Sequence, residues 1–467
     1  MNAVRARMAV LTAVVLGMAA GLSAGSGEDY GPAAQRIMAA ERAQGRAFAL
    51  LQHLTDHIGP RLSGSAGAAA AVQWSQHELS GLGLKAWTEP VRVPHWVRGE
   101  ETGEILAPVA QRLALTALGG SAPTPAGGVS AEVVEVGSLD ALKALPDAAV
   151  KDRIVFFNHS MAVATEYGTL SALRTRGPAA AAKRGAAAVL VRSLSTLSAR
   201  LPHTGSTQFE EGQAPLPAAA LSAEDAELLH RLLAEGQPVR VRVRLACQDL
   251  GLTDSANVVA DLVGRERPEE VVLIGAHLDS WDLGTGAIDD GAGVVMVMES
   301  LRLLKSLGLT PRRTIRGVLF MNEEHGLHGA RAYALAHAAE LAQHVVAMES
   351  DSGAGTPDGV SARLGSGGRP RLDQVLALVA ALGGTGVTDG GGGADLIPMQ
   401  GAGVPELGLR HDSSAYFHWH HSAADTLDKV DPAALAAGVA RMAVLAYVLA
   451  EQPDALPRPL PPAPPTD

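Results

Sequence analysis

The sequence is short of cysteine, aromatic residues and positive charge. Cys247 is the only cysteine among 467 residues, so no disulfide can form within the chain, and we expect its thiol to be a small buried apolar group. Aromatic side chains make up 3% of the residues, although the apolar content of 47% is typical of a globular protein. Acidic residues outnumber basic ones by 49 to 38. This balance argues against nucleic acid as a partner, because phosphate binding requires a basic surface.

The first 24 residues have the pattern of a secretory signal peptide. Arg5 and Arg7 precede a short apolar stretch from Met8 to Leu22, and small residues around Ala24 offer a cleavage site. The alternative is an uncleaved membrane anchor, but the stretch is short for a membrane span. We therefore predict a secreted or periplasmic protein without a membrane contact after cleavage. No later segment is expected to cross a bilayer.

The length of the chain exceeds one typical domain, and its pattern changes along the sequence. Residues 25–105 begin with helical stretches and end in a strand. Residues 106–247 alternate short strands, turns and helices without a convincing cluster of metal ligands, so we predict an inserted smaller domain of α+β or β-rich type. Residues 248–451 repeat strand, loop and helix, and residues 452–467 form an extended Pro-rich tail.

The repeated strand and helix predict an α/β fold with a mostly parallel central sheet and helices on both of its faces. Ligands of such sheets bind beyond the carboxyl ends of the strands. Polar residues follow the predicted strands there: His277 after 271–276, Glu323 and Glu324 after 314–321, and Asp351 after 345–348.

Two histidines and three carboxylates at one edge of a sheet can bind two zinc ions if one carboxylate bridges them. The candidates are His277, Asp289, Glu324, Asp351 and His421. The sequence leaves alternatives at several of these positions: Asp290 for Asp289 (either could instead cap the following helix), Glu349 for Asp351, His418 or His420 for His421, and a pair formed by His325 and His328.

Two further acidic residues are candidates for roles beside the metals. Glu323 and Glu324 leave the strand in different directions, so one can bind metal while the other faces the substrate. Repulsion between like charges favours a raised pKa on the free carboxylate, which suits a general base that later acts as an acid. Asp279 could accept the second N–H of the His277 imidazole and so fix its tautomer.

In these motifs the sequence resembles the secreted di-zinc exopeptidases of the aminopeptidase Y and carboxypeptidase Q family, and the carboxypeptidase Q branch most closely. The resemblance extends over about residues 39–449. The matching segments are residues 58–65, 277–284, 286–291, 348–351 and 420–426.

The resemblance implies the fold of these enzymes with an inserted protease-associated domain. It assigns His277 and Asp351 to one zinc, Glu324 and His421 to the other, and Asp289 to both, which gives two zinc ions per chain. It makes Glu323 the general base and Tyr416 a candidate oxyanion contact, and it also suggests a homodimer.

The expected activity is hydrolysis of dipeptides or short peptides with free termini. The alternatives are an aminopeptidase acting on longer peptides, a glutaminyl-cyclase-like acyltransferase that uses one zinc, and a binding protein with a relict site.

Overall fold

The computed structural model describes residues 29–462. The predicted signal peptide lies outside the described residues, as do the last five residues of the predicted Pro-rich tail. The helices within the described range are α1 (Gly31–Gln44), α2 (Ala47–His53), α3 (Ala66–Gly81), α4 (Leu139–Ala144), α5 (Asp147–Val150), α6 (Tyr167–Thr175), α7 (Gly177–Ala182), α8 (Ala223–Ala234), α9 (Ala292–Ser306), α10 (His328–Ala336), α11 (Gly368–Ala377), α12 (Tyr416–Trp419) and α13 (Pro432–Glu451).

The strands of the described residues belong to two separate sheets. They are β1 (Lys85–Val97), β2 (Glu101–Ala107), β3 (Gln111–Leu113), β4 (Leu115–Ala117), β5 (Val129–Val136), β6 (Ile154–Phe157), β7 (Ala188–Arg192), β8 (Ala218–Leu221), β9 (Arg240–Leu245), β10 (Gln248–Leu262), β11 (Arg267–His277), β12 (Arg313–Phe320), β13 (His344–Glu349), β14 (Pro357–Arg363), β15 (Val387–Asp389) and β16 (Glu406–His411).

The first sheet has eight strands in the order β1-β10-β12-β11-β13-β16-β14-β15. Its middle strands β12, β11, β13 and β16 are parallel to one another, as expected from the repeated strand and helix. The flanks differ from the prediction of a mostly parallel sheet, since β10 and β14 each run antiparallel to the middle strands beside them. Only residues 263–266 join β10 to β11, which is too short for a helical crossover, so these strands run in opposite directions.

Helices cover both faces of this sheet because side chains alternate along each buried strand. Val272 and Ile274 of β11 point into the larger core, which includes α9 and α13. Leu273 points to the opposite face and packs with Ala330 and Tyr333 of α10.

Helix α13 corrects one expectation from the sequence. It is long and apolar enough by length and composition to cross a membrane, which we had not expected of any segment after the N-terminus. Within its most apolar stretch of 18 residues, 72% is buried inside the protein. It packs against α9 and α1, so its apolar character is accounted for by the core of the fold.

The second sheet consists of strands between Glu101 and Leu245, in the order β3-β2-β9-β5-β6-β7-β8-β4. It begins with β2, a few residues before the boundary at residue 106 expected from composition. The strands that flank this segment, β1 and β10, pair with each other, so the chain leaves the first sheet and returns to it at one place. The segment has its own buried cores on the two faces of its sheet.

Candidate metal centre

The candidate ligands come from the carboxyl ends of the parallel middle strands. His277 is the last residue of β11, Glu324 follows the end of β12, and Asp351 follows the end of β13. Because β11 lies between β12 and β13 and runs parallel to both, these three ends meet at one edge of the sheet. The structure therefore brings together the residues that the sequence placed after its apolar strands.

Asp289 lies between two groups of donor atoms. Its Oδ1 is 3.1 Å from Nε2 of His277, and that nitrogen is 3.7 Å from Oδ1 of Asp351. Its Oδ2 is 3.3 Å from Nε2 of His421, and that nitrogen is 2.9 Å from Oε2 of Glu324. Each oxygen of one carboxylate thus faces a different histidine and acid.

These groups fit a metal ion. Oδ2 of Asp289 and Oε1 of Glu324 are buried without a hydrogen-bond partner, and a nearby cation would stabilise their charged forms. Imidazole nitrogen and carboxylate oxygen are donors that suit zinc. Among the described residues, three overlapping sets have donor atoms within 4.8 Å of one another: Asp289, His420 and His421; His277, Asp290 and Asp351; and His277, Asp289 and Glu324.

The two neighbouring aspartates have different contacts. Asp289 faces the cluster, whereas Oδ1 of Asp290 accepts the N–H of Gly293 at 3.1 Å, in the first turn of α9. Oδ2 of Asp290 accepts the backbone N–H of His277 at 3.2 Å. Asp290 therefore has the capping contact that the sequence allowed for either residue, although it also belongs to one of the three donor sets.

Most of the other competing residues lie outside the donor sets. His325 packs beside the ring of Trp281, and Nδ1 of His328 is 2.8 Å from the carbonyl oxygen of Arg92. Glu349 is buried next to the backbone N–H of Asp395.

His420 is a residue whose position the sequence left undecided. Its ring stacks on that of His421 with centroids 3.6 Å apart, and its Nε2 is 3.4 Å from Oδ2 of Asp289. Burial, together with the neighbouring His421, holds the pKa of His420 well below its ordinary value, so the imidazole is neutral. The adjacent histidines at positions 420 and 421 could have indicated in the sequence that both imidazoles reach the site, but we had expected only one of them there.

Asp279 contacts the site in a different way from the one expected. The carbonyl oxygen of Asp279, not its carboxylate, lies 3.0 Å from Nδ1 of His277, and the carboxylate is 4.0 Å away. Its Oδ1 instead accepts the backbone N–H groups of Asn322 at 2.7 Å and Glu323 at 3.0 Å. The carboxylate is turned towards these two donors, so it supports the turn that carries Glu323.

Glu323 and Tyr416 line the same cavity as four of the candidate ligands, namely Asp289, Glu324, Asp351 and His421. Burial and the nearby carboxylates of Asp351 and Glu324 raise the pKa of Glu323 well above its ordinary value. Burial and the same acidic surroundings also raise the pKa of the Tyr416 hydroxyl, which therefore stays protonated. A carboxyl group with a raised pKa is able to take up and return a proton near neutral pH.

Two residues from distant segments fix the loop that carries Asp289. Oδ1 of Asp425 accepts the backbone N–H groups of Ala287 and Ile288, both at 2.8 Å. The fully buried guanidinium of Arg61 donates to backbone carbonyl oxygens of Gly59, Leu278, Thr285 and Gly286. The segments around residues 61 and 425 therefore hold the loop in place although they are far apart in sequence.

The segment of the second sheet also reaches the site, which the sequence did not indicate. The backbone N–H of Thr204 donates to the carbonyl oxygen of His421 at 2.8 Å. Nδ1 of His203 lies 2.6 Å from the carbonyl oxygen of His420. Arg174 donates from one terminal nitrogen to the Thr204 carbonyl oxygen at 2.9 Å. These contacts close one side of a cavity of about 450 Å³ whose lining includes Arg174, Glu323, Asp351 and Tyr416.

Comparison with known proteins agrees with this arrangement. Residues 257–449 match the model of peptidase family M28. Carboxypeptidase Q from Homo sapiens is 39% identical over 418 residues, which cover 89% of this chain and 88% of that protein. The crystal structure of a peptidase M28 precursor from Shewanella amazonensis has a TM-score of 0.88 and 39% identity, covering 93% of this chain and 99% of that one.

A zinc aminopeptidase from Bacillus subtilis shares the fold at 21% identity, with a TM-score of 0.62 over 86% of this chain and 94% of that one. The α/β sheet with a cluster of imidazole and carboxylate groups at its carboxyl edge is therefore that of a metallopeptidase. The chain belongs to peptidase family M28 and is similar to carboxypeptidase Q over most of its length.

Proposed function

We propose that the protein is a zinc-dependent exopeptidase that hydrolyses dipeptides or short peptides with free termini. The observation that carries this proposal is the position of Asp289, whose two carboxylate oxygens face two separate pairs of donors. A carboxylate in this position suits a bridge between two cations. The cavity of about 450 Å³ has the size of a pocket for a small ligand, which supports a short peptide as substrate.

In this proposal two zinc ions bind per chain. His277 and Asp351 hold one ion, Glu324 and His421 hold the other, and Asp289 contacts both. Bound zinc supplies Lewis acidity and lowers the pKa of water. The contact of His277 Nδ1 with the backbone carbonyl oxygen of Asp279 keeps a proton on that nitrogen, which leaves Nε2 free as a donor to the metal. Nε2 of His421 faces Asp289 and Glu324, the acids assigned with it.

Glu323 acts as the general base and then the general acid. Its carboxylate takes a proton from the attacking water and delivers it to the nitrogen of the departing amine, so that one water is consumed for each peptide bond cleaved. The raised pKa of Glu323 supports this role. The carboxylate of Asp279 also supports it, because it accepts the backbone N–H groups of Asn322 and Glu323 and so holds the turn that carries Glu323. We assign the oxyanion contact to Tyr416, because its hydroxyl stays protonated in the same cavity.

The remaining parts of the proposal concern the whole chain. Residues 1–24 would direct export to a secreted or periplasmic location, and residues 106–247 would form a protease-associated domain. The separate sheet between Glu101 and Leu245 supports such an insert. Homodimer formation follows only from the family resemblance.

The test is the variant Glu323→Gln, with Glu269→Gln on the exposed surface as its control. We expect E323Q to lower kcat on an unblocked dipeptide by at least about 100-fold while zinc content is unchanged, because only proton transfer is removed. Activity of E323Q within threefold of the unaltered enzyme would show that Glu323 is not the base.

The number of zinc ions per chain distinguishes the exopeptidase from the acyltransferase alternative. Two ions per active chain agree with the bridging role of Asp289, whereas full activity with one ion would favour a glutaminyl-cyclase-like acyltransferase. Efficient cleavage of long peptides from the amino end would favour an aminopeptidase.

A further inference from the structure

We propose that Arg174 binds the free carboxylate of the substrate and so selects short peptides with an unblocked carboxyl end. This inference rests on the proposed peptidase function and specifies which chemical group the cavity recognises. Arg174 belongs to α6, in the segment that forms the second sheet, so this segment would contribute directly to substrate recognition.

Arg174 is a buried cation without an acidic partner. Its residue is 6% exposed, and no ion pair joins it to a carboxylate within the described part of the chain. A buried charge is costly unless an opposite charge accompanies it. The charge of Arg174 is therefore suited to an anion that arrives with the substrate.

The guanidinium retains donors for such an anion. One terminal nitrogen donates to the carbonyl oxygen of Thr204 at 2.9 Å, and the other donates to the hydroxyl of Tyr167 at 2.9 Å. Its Nε is buried without a hydrogen-bond partner. A guanidinium has five N–H donors, so donors remain beyond these two bonds, and its planar fork matches both oxygens of a carboxylate.

The position of Arg174 suits the carboxylate of a dipeptide. Its Nη1 lies 3.2 Å from Nδ1 of His421, so the guanidinium is next to one of the candidate metal ligands. The leaving half of a dipeptide is a single amino acid, and its carboxylate is separated from the cleaved bond by one residue, roughly 3.3–3.6 Å along the chain. Arg174 and Glu323 line the same cavity, which places the anion donor and the proposed base around one substrate.

A second cation, Arg331, also lines this cavity. Arg331 is exposed, so water solvates its guanidinium without a ligand, and an exposed charge gives only a weak ion pair. Arg174 is buried and lies next to His421, and for this reason we assign the carboxylate to Arg174.

The test compares unblocked dipeptides with the same dipeptides whose carboxyl end is an amide. For the unaltered enzyme we expect kcat/KM to be about 10- to 100-fold higher for the free acid, because a charge-assisted hydrogen bond is lost with the amide. The variant Arg174→Met should reduce this ratio to below about threefold. The exposed Arg176, two residues further along the chain, is the matched control, and Arg176→Met should keep the ratio.

A purely structural role of Arg174 gives a different result. If Arg174 only positions His421 through Thr204, then R174M lowers activity on acid and amide by the same factor, and the proposal is wrong. Zinc content and thermal unfolding of R174M show whether the metal centre is retained. Arg174→Lys keeps the charge but not the planar fork, and we expect an intermediate ratio.

Two other results would overturn the assignment. A ratio near one in the unaltered enzyme would mean that the carboxylate is not recognised, whatever the variants do, while the peptidase function would stand. If the preference for the free acid over the amide disappeared in Arg331→Met but not in R174M, Arg331 rather than Arg174 would bind the carboxylate. Absence of cleavage of every peptide by the zinc-loaded, unaltered enzyme would instead refute the proposed function itself.

Discussion

The backbone of Thr204 contacts His421 at two points. The N–H of Thr204 donates to the carbonyl oxygen of His421 at 2.8 Å, and the carbonyl oxygen of Thr204 lies 3.2 Å from the imidazole Nδ1 of His421. The segment of the second sheet thus fixes both the backbone and the ring of a candidate metal ligand. Hydrogen bonds of this kind orient a ligand histidine and commonly affect metal affinity.

The first prediction concerns His203, which supports the same loop through the carbonyl oxygen of His420. We expect His203→Ala to weaken zinc binding by about 10-fold, because the loop that carries His421 loses a buried hydrogen bond. His203→Asn should restore much of the affinity, since its side-chain amide can donate from a similar position. Zinc titration of the metal-free protein measures both, with exposed His230→Ala as control. Unchanged affinity in H203A would show that the loop is positioned without His203.

The second prediction concerns Asp425, which binds the backbone of the loop that carries Asp289. Asp425→Ala should lower zinc affinity and kcat/KM by about 10- to 100-fold, because two backbone N–H groups lose their acceptor. Asp425→Asn retains an oxygen that can accept both bonds and should have a much smaller effect. The exposed Asp428→Asn is the matched control from the same loop. Equal losses in D425A and D425N would mean that the charge of Asp425, rather than its hydrogen bonds, is needed.

The third prediction is a loss of stability in acid that depends on His344. This histidine is buried against the Tyr333 hydroxyl and the carbonyl oxygen of Glu340, and burial lowers its pKa to about 4. Between pH 6.5 and 4 the unfolded chain binds a proton here that the folded chain does not, so stability is present above this range and is lost as the pH falls. One such group contributes about 2 kcal/mol of this loss at pH 5.

The substitution His344→Gln removes the titrating group. We expect the decrease in Tm between pH 7 and pH 5 to be smaller in H344Q than in the unaltered protein, even if the variant is less stable at pH 7. An unchanged decrease would show that His344 is already protonated in the folded state at pH 5.

The fourth prediction concerns Glu41 on α1, which changes stability with pH in the opposite sense. Burial and the neighbouring Glu299 raise the pKa of Glu41 to about 8, and Oε2 of Glu41 is buried without a partner. The folded chain therefore binds a proton here between pH 4.5 and 8 that the unfolded chain releases, and stability falls as the pH rises through this range. Glu41→Gln should raise Tm at pH 8 more than at pH 5. The exposed Glu224→Gln should change neither, and a lower Tm of E41Q at pH 8 would contradict the argument.

The sequence predicted the middle of the first sheet because the information is local. Apolar runs mark β11, β12 and β13, and parallel strands bring their carboxyl ends to one edge whatever the details of packing. The antiparallel flanks were not predicted, since β10 has an exposed first half and pairs with β1 across the entire second-sheet segment. Helix α13 was not predicted either. Its sequence is apolar on all sides, so no periodic pattern marks the face that packs against the rest of the protein.

The residue types and their positions after strands were enough to choose His277, Asp289, Glu324, Asp351 and His421 as candidates, and the structure brings these five together. Which groups support them was decided only by the tertiary structure. Asp279 supports Glu323 rather than accepting from His277 with its carboxylate, and His420 lies against Asp289. Arg174 reaches the cavity from a position 247 residues away from His421. The local sequence pattern determines which side chains follow each strand. Contacts between distant segments depend instead on how the two sheets pack together, and no local pattern in the sequence shows this.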